Sequence, residues 1–236
     1  MCLEKLIIYH KPDLFERIKL PLSIGIVGES ASGKSTITED FIKVLSRYWT
    51  VNRINTDDYY YDNSEAVKKA GSFAEWAKDK DLDSPSAMEL SLMKKHIKAL
   101  KNGESVWLPK YDMSGTAIRH DKHTFARPSN IIISEGLFTM CVKDAFDICI
   151  YVDIDKETQK KRWYERAIER RLGSSMDVMY KNANDKAEIY IRPYRNVCDV
   201  ILSGVGPRPL YKQLMERFLD KVNNRQLTFT SSIITI

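Results

Sequence analysis

The sequence is poor in the residues that staple a fold or anchor it in a bilayer. Only four cysteines, Cys2, Cys141, Cys149 and Cys198, occur among 236 residues. They show no C-x-x-C spacing and no histidine set in a metal pattern, so neither a disulfide framework nor a structural zinc site is expected. Cys141 and Cys149 flank apolar segments and read as buried free thiols. No apolar run approaches the roughly 20 residues that cross a bilayer. The first ten residues carry Glu4 and Lys5 and have no small-residue cleavage site, so no secretory signal is indicated and a cytoplasmic location is expected. With ten glycines and eight prolines the chain is neither collagen-like nor of low complexity. An excess of one charge is also missing. Thirty-seven basic residues face 32 acidic ones, for a net charge of +5, which falls short of the dense basic face of a nucleic-acid binder but suits a small anionic ligand.

What is present is a globular pattern, with 43% hydrophobic residues in a length that supports one large core without staples. Residues 1–236 are expected to form a single domain. Its subsidiary parts are an N-terminal extension (1–20), a hairpin excursion (104–127), a lid (156–175) and a tail (226–236). Leu22–Val27 is apolar and partly β-branched, bounded by Gly28, and reads as a buried parallel strand. Residues 35–49 then place Ile37, Phe41, Val44, Leu45 and Tyr48 at helical spacing. Further strands are expected at 51–54, 130–134, 147–152 and 199–202. Helices are expected at 86–102, 156–172, 177–190 and 209–224, and a charged helical stretch at 13–19. Strands alternating with helices predict an α/β fold: a central parallel sheet of about five strands, covered by helices on both faces.

The sharpest motif is Gly28-Glu29-Ser30-Ala31-Ser32-Gly33-Lys34-Ser35-Thr36, a full G-x-x-x-x-G-K-[ST] match between a strand and a helix. Gly28 and Gly33 let the backbone approach an anion without a Cβ in the way. Successive amides then converge on a phosphate, reinforced by the positive end of the following helix. Lys34 supplies a mobile cation for the β- and γ-phosphates, and Ser35 a hydroxyl for Mg²⁺. The motif implies a P-loop that binds ATP or another nucleoside triphosphate. No guanine-reading Asn-Lys-x-Asp stretch exists, which argues against a GTPase switch. Leu202–Gly206 faintly resembles a transporter signature but stands in the wrong order.

The carboxylates decide what such a cradle does. Asp57 follows the second strand, where ligands sit in open α/β sheets, and there it can accept a hydroxyl proton or help hold Mg²⁺. Asp58-Tyr59-Tyr60 offers the same pattern shifted by one residue. Glu135 ends the third strand beside Gly136, which allows close backbone approach, and is the preferred acidic partner of the metal. Asp153 and Asp155 are rivals, although Asp153-Ile154-Asp155 reads better as a helix cap. Arg162, Arg166 and Arg170 lie four apart on one helix face. They suit a lid over the phosphates, or an ordinary solvated face pairing with Glu157, Glu165 and Glu169.

In this order the pieces resemble the uridine kinase–phosphoribulokinase family of P-loop kinases, its uridine-cytidine kinase branch above all, over residues 22–206. The resemblance rests on Gly28–Thr36, Asp57–Tyr60, Asp81–Ala87, Pro109–Asp112, Ser134–Leu137, Tyr151–Asp155 and Cys198–Leu202. It implies ATP-dependent phosphorylation of a nucleoside hydroxyl, with Asp57 as base, Ser35, Glu135 and Asp57 around Mg²⁺, and Arg166 in the lid. It also implies that Asp83, Tyr60, Tyr111 and Arg162 contact substrate, and that the enzyme is a homo-oligomer. Thr116 stands where the family places a base-reading histidine, with His120 further along. Arg166-Ala167 replaces an Arg-Asp pair, Arg171-Leu172-Gly173 an Arg-Gly-Arg stretch, and no glutamine precedes a tyrosine near Tyr180. These departures leave other acceptors open (a sugar phosphate, a vitamin, another nucleoside), as well as a nucleotide-binding regulatory ATPase.

Overall fold

The computed structural model describes residues 6–169 and 176–223. Strands β1 (Ile7–His10), β2 (Leu22–Gly28), β3 (Val51–Asn55), β6 (Ile131–Glu135), β7 (Ile148–Asp153) and β8 (Val200–Ser203) form one sheet in the order β1-β8-β7-β2-β6-β3. A second sheet is the antiparallel hairpin of β4 (Val106–Tyr111) and β5 (Arg119–Ala126). The five strands from β8 to β3 run parallel. The sixth, β1, pairs antiparallel with β8, so part of the N-terminal extension is an edge strand of the sheet.

Both faces of the sheet are covered, which is why its strands read as nearly continuous apolar runs. Ile131 and Ile133 point to one face and pack with Ile24, Ile26 and Val152. That face is covered by Ile37, Phe41 and Val44 of α1 (Lys34–Leu45) and Tyr211, Met215 and Leu219 of α7 (Arg208–Asn223). Ile132, between them, faces the other way, against Met93, Ile97 and Leu100 of α4 (Leu90–Lys101). Each of these fully buried side chains contributes about 1.5–3 kcal/mol relative to exposure. The remaining helices are α2 (Ser64–Ala70), α3 (Phe73–Ala77), α5 (Lys156–Glu169) and α6 (Met176–Tyr190).

Several boundaries differ from the sequence expectation for identifiable reasons. The first helix ends at Leu45 rather than residue 49, because the amides of Tyr48 and Trp49 both fold back onto the Leu45 carbonyl. The helix expected from residue 86 begins at Leu90, after a separate 3₁₀ turn at Pro85–Ala87. The stretch 13–19 forms only one 3₁₀ turn, Leu14–Arg17. Pro109 sits inside β4 at a register shift between Leu108 and Lys110, so the missing amide donor falls at an irregular point of the ladder. Cys149 is buried as expected, but Cys141 is exposed, because its 3₁₀ segment turns Met140 and Val142 inward instead. The last part of the expected lid (170–175, with Arg170) and the tail (226–236) lie outside the described residues, as does Cys2.

Candidate active site

All five parallel strands end on one edge of the sheet, and the loop from Gly28, Asp57 and Glu135 all lie at that edge. The loop after β2 is the cradle. Ala31 and Gly33 adopt positive φ values of 67° and 96°. Such left-handed residues beside right-handed ones turn neighbouring amides toward a common point and form an anion nest. A Cβ on Gly28 would lie 2.8 Å from the Val152 carbonyl, so only glycine lets the loop leave β2 this close to β7. Ser32 Oγ is fully buried with no hydrogen-bond partner. It lies against Gly28, 2.7 Å from where a Cβ on that residue would stand, so it too keeps position 28 a glycine.

Lys34, nearly buried, opens α1. Burial pushes its ammonium below the usual lysine range, while the charges of Glu135 and Asp57 act in the opposite sense and Arg166 reinforces the depression. Four predicted residues therefore share one neighbourhood. Glu135 is buried at the end of β6. Its Oε2 accepts from the Ser35 hydroxyl at 3.2 Å, and its Oε1 pairs with Arg53 at 2.9 Å. Gly136 follows, and a Cβ there would lie 2.5 Å from that of Thr56, so this junction requires glycine. Two hard oxygen donors with room for phosphate and water fit Mg²⁺, which rarely takes an all-protein cage. No cluster of three or more acidic, histidine or cysteine side chains suited to a metal occurs among the described residues.

Asp57 and Asp58 are separated by their partners. Asp58 is turned to the hairpin, accepting from the Tyr111 amide at 3.3 Å and pairing with Lys110 at 3.0 Å. Asp57, half-buried, shares the field of Lys34. The rivals of Glu135 are occupied as well. Asp155 caps α5 by accepting from the Thr158 amide at 2.8 Å, and Asp153 pairs with Arg195 at 3.0 Å.

Two cavities meet at Arg166. One, of about 390 Å³, is lined by Gly33, Lys34, Ser35, Thr36, Arg162 and Arg166 together with the loop after β8 and Arg208. The other, of about 220 Å³, is lined by Ser30, Asp83, Phe138, Trp163 and Arg166 with Asn182 and Lys186 of α6. Arg166 touches Ser30 Oγ, and Arg162 donates to the Gly204 carbonyl at 2.8 Å. Asp83 stands at the rim of the smaller cavity. Partial burial and the neighbouring Asp81 raise its carboxyl above the ordinary aspartate range, against the pull of Lys186. Tyr60 donates to the Leu82 carbonyl at 3.1 Å, and its ring lies 5.1 Å from that of Tyr111. Burial, with the charges of Asp57 and Asp83 beside it, raises the Tyr60 hydroxyl, which stays a neutral donor. Thr116 is exposed, bonds Asp112 at 2.6 Å and lines neither cavity; His120 is exposed too.

Sequence reasoning missed three contacts of the site. Glu29 of the cradle forms a two-pronged pair with Arg192 at 2.8 and 2.9 Å. These bonds with Glu29 are the main reason Arg192 holds its proton more tightly than an ordinary arginine. The pair is partly buried, so removing one partner leaves the other with little solvent to replace it. Gln159 donates to the Ser30 carbonyl at 2.8 Å. Gly204 packs so tightly that a Cβ would lie 2.1 Å from the Ser32 carbonyl. Its signal was the glycine pair Gly204/Gly206, which only the fold brings to the cradle.

An amide nest at the end of a central parallel strand, with a buried lysine, a hydroxyl–carboxylate pair and arginines above, defines a P-loop kinase. Residues 23–209 match the model of the phosphoribulokinase / uridine kinase family. A uridine kinase of Macrococcus caseolyticus is 31% identical over 81% of this chain and 92% of its own length. One from Staphylococcus aureus is 28% identical over 89% of this chain and its full length. Among solved structures, phosphoribulokinase from Rhodobacter spheroides superposes with a TM-score of 0.56, at 15% identity over 77% of this chain and 69% of that one. A possible uridine kinase from Bacillus stearothermophilus gives 0.52 at 18% identity, over 77% of this chain and 88% of that one. The chain belongs to the phosphoribulokinase / uridine kinase family.

Proposed function

We propose that the protein is a uridine/cytidine kinase, transferring the γ-phosphoryl group of ATP to the nucleoside 5′-hydroxyl. The observation that carries the reading is the pair of cavities joined at Arg166, one formed by the phosphate cradle and the other carrying Asp83. ATP occupies the first and the acceptor the second. Asp57 accepts the proton of the attacking hydroxyl and orients it. Lys34 and Arg166 hold the transferring group while charge spreads over its oxygens, the positioning and electrostatic work that phosphoryl transfer needs. Gly28 to Thr36 hold the β-phosphate through their amides. Arg162 lines the ATP cavity, and α5 with Arg166 closes over it as a lid that excludes water.

Ser35 and Glu135, with Asp57 nearby, would hold Mg²⁺, which when bound neutralises phosphate charge. Asp83 takes ribose hydroxyls as an acceptor, and Tyr60 and Tyr111 flank the sugar and base. Tyr60, Tyr111 and Thr116 all lie outside the lining of the smaller cavity, and Thr116 has no imidazole to read the base edge. Among the described residues no helix is long and apolar enough to cross a membrane. We place the enzyme in the cytoplasm as a homo-oligomer, acting on small molecules and not on nucleic acid.

A panel of acceptors incubated with γ-labelled ATP tests the reading. Label passing to uridine or cytidine supports it. Label passing only to a sugar phosphate, a vitamin or another nucleoside overturns the acceptor, and label passing only to water overturns the kinase.

A further inference from the structure

Helix α6 presents two adjacent stripes with different duties. Tyr180, Asn184 and Glu188, each four residues apart, reach toward the cradle. Tyr180 donates to Gln159 Oε1 at 3.1 Å, and Gln159 in turn donates to the Ser30 carbonyl at 2.8 Å. Asn184 and Glu188 both accept from Arg192, the former at 2.7 Å, and the same guanidinium holds both oxygens of Glu29. The neighbouring stripe, Met179, Asn182, Ala183 and Lys186, walls the smaller cavity. Of the fifteen residues of α6, Ala187 is the buried one, while Val178 and Ile189 are exposed. Aromatic contacts seat it as well, Tyr190 edge-on to Phe138 and the Tyr180 ring against Trp163 and Tyr164, while the polar ties connect it to the cradle. A ligand that presses on one stripe moves the same helix and so acts on what the other stripe holds.

We propose that α6 makes the binding of acceptor and of nucleotide mutually dependent, with Arg192 as the positioning residue that carries the coupling to Glu29. The proposal rests on the reading of the smaller cavity as the acceptor site. Glu29 directly follows Gly28, so a shift of the Arg192 fork moves the first turn of the amide nest. By linkage, an acceptor that tightens nucleotide binding is itself tightened by nucleotide, by the same factor. The arrangement favours a fully formed cradle when both substrates are present and disfavours transfer to water when the acceptor is absent.

The test is calorimetric titration of a non-hydrolysable ATP analogue with Mg²⁺, with and without a saturating acceptor that the labelling panel has shown to receive phosphoryl. The parent is expected to bind the analogue at least about fivefold more tightly with acceptor present, the lower end of usual couplings. Arg192→Met is expected to bring the ratio near one, Arg192→Lys to restore part of it, and Tyr180→Phe to reduce it. In a double-mutant cycle, adding Glu29→Gln to Arg192→Met should change the ratio no further. A purely structural role would weaken binding equally with and without acceptor and leave the ratio intact. Where Arg192→Met fails to fold, Tyr180→Phe decides, since it removes one hydroxyl and keeps the ring. A parent ratio of one overturns the coupling, and so does a parent ratio preserved in the folded variants. A panel in which nothing accepts label overturns the acceptor reading together with the coupling. Transfer without coupling overturns the coupling alone.

Discussion

Replacing Gly204 by alanine separates the geometry of the cradle from the stability of the fold. The new Cβ would lie 2.1 Å from the Ser32 carbonyl oxygen and 3.1 Å from that of Asp153. Both neighbours are backbone, so no side chain can swing away. Reaching ordinary contact at 3.4 Å requires movement of about 1.3 Å, borne by the fifth residue of the phosphate loop or by the strand end that carries residue 204. Overpacking of this kind costs about 1–3 kcal/mol, well inside a typical stability of about 5–15 kcal/mol, so the variant stays folded. For a domain of this size the loss lowers Tm by about 2–4 °C per kcal/mol. Catalysis is hit harder, because a misplacement of about 1 Å costs roughly 100-fold.

The assay is the ATP dependence of phosphoryl transfer, run beside thermal unfolding. The expected result is kcat/KM for ATP down about 100-fold in a protein that still melts cooperatively, about 2–12 °C lower. Gly71→Ala is the control. Its φ of 83° strains an alanine, yet nothing lies within 4 Å of the added methyl group. It should lose about 1–2 kcal/mol of stability and keep the parent's ATP kinetics. Parent-like kinetics in Gly204→Ala, or an equal kinetic loss in Gly71→Ala, would refute the reasoning.

Lys34→Met should weaken nucleotide binding and turnover together, because the proposed role has the ammonium meet the phosphates in both ground and transition states; equilibrium titration with ATP checks this, and unchanged affinity contradicts it. Asp57→Asn should lower kcat by about 10²–10⁴, the usual worth of a general base, with ATP affinity nearly intact; turnover equal to the parent removes Asp57 as the base. Asp83, whose carboxyl is raised by burial and Asp81, takes up its proton at a higher pH than an ordinary aspartate. Acceptor KM should therefore rise as pH falls through that raised value, while ATP KM holds. Lys186→Met removes the cation that lowers the Asp83 carboxyl and should move this acid limb to higher pH, and Asp81→Asn should move it lower. A limb that stays put in both variants assigns the titration to another group.

The elements of the cradle are the ones a sequence displays most openly. A strand, two glycines at fixed spacing, a lysine and a helix are contiguous, so local rules suffice to place Gly28 through Thr36. Glu135 could be preferred over Asp153 and Asp155 because capping is also a local event, and Asp155 does cap α5. Asp57 and Asp58 were harder to separate from sequence alone. Their distinct surroundings depend on Lys110 and Tyr111, which lie on a hairpin some fifty residues away. The pairs Arg53–Glu135 and Arg192–Glu29 join residues 82 and 163 positions apart and follow no periodicity. Likewise Ile7–His10 is too short to announce that it pairs antiparallel with β8. Gly204 was visible as a glycine, but its closeness to Ser32 exists only once β8 lies beside β7.

The most direct test of the whole account is titration calorimetry of the parent and of Lys34→Met with ATP and Mg²⁺. The account predicts one nucleotide bound per chain by the parent, with affinity sharply reduced in the variant. Absence of binding to the parent, or equal binding by both, would mean that the loop between β2 and α1 does not hold the triphosphate.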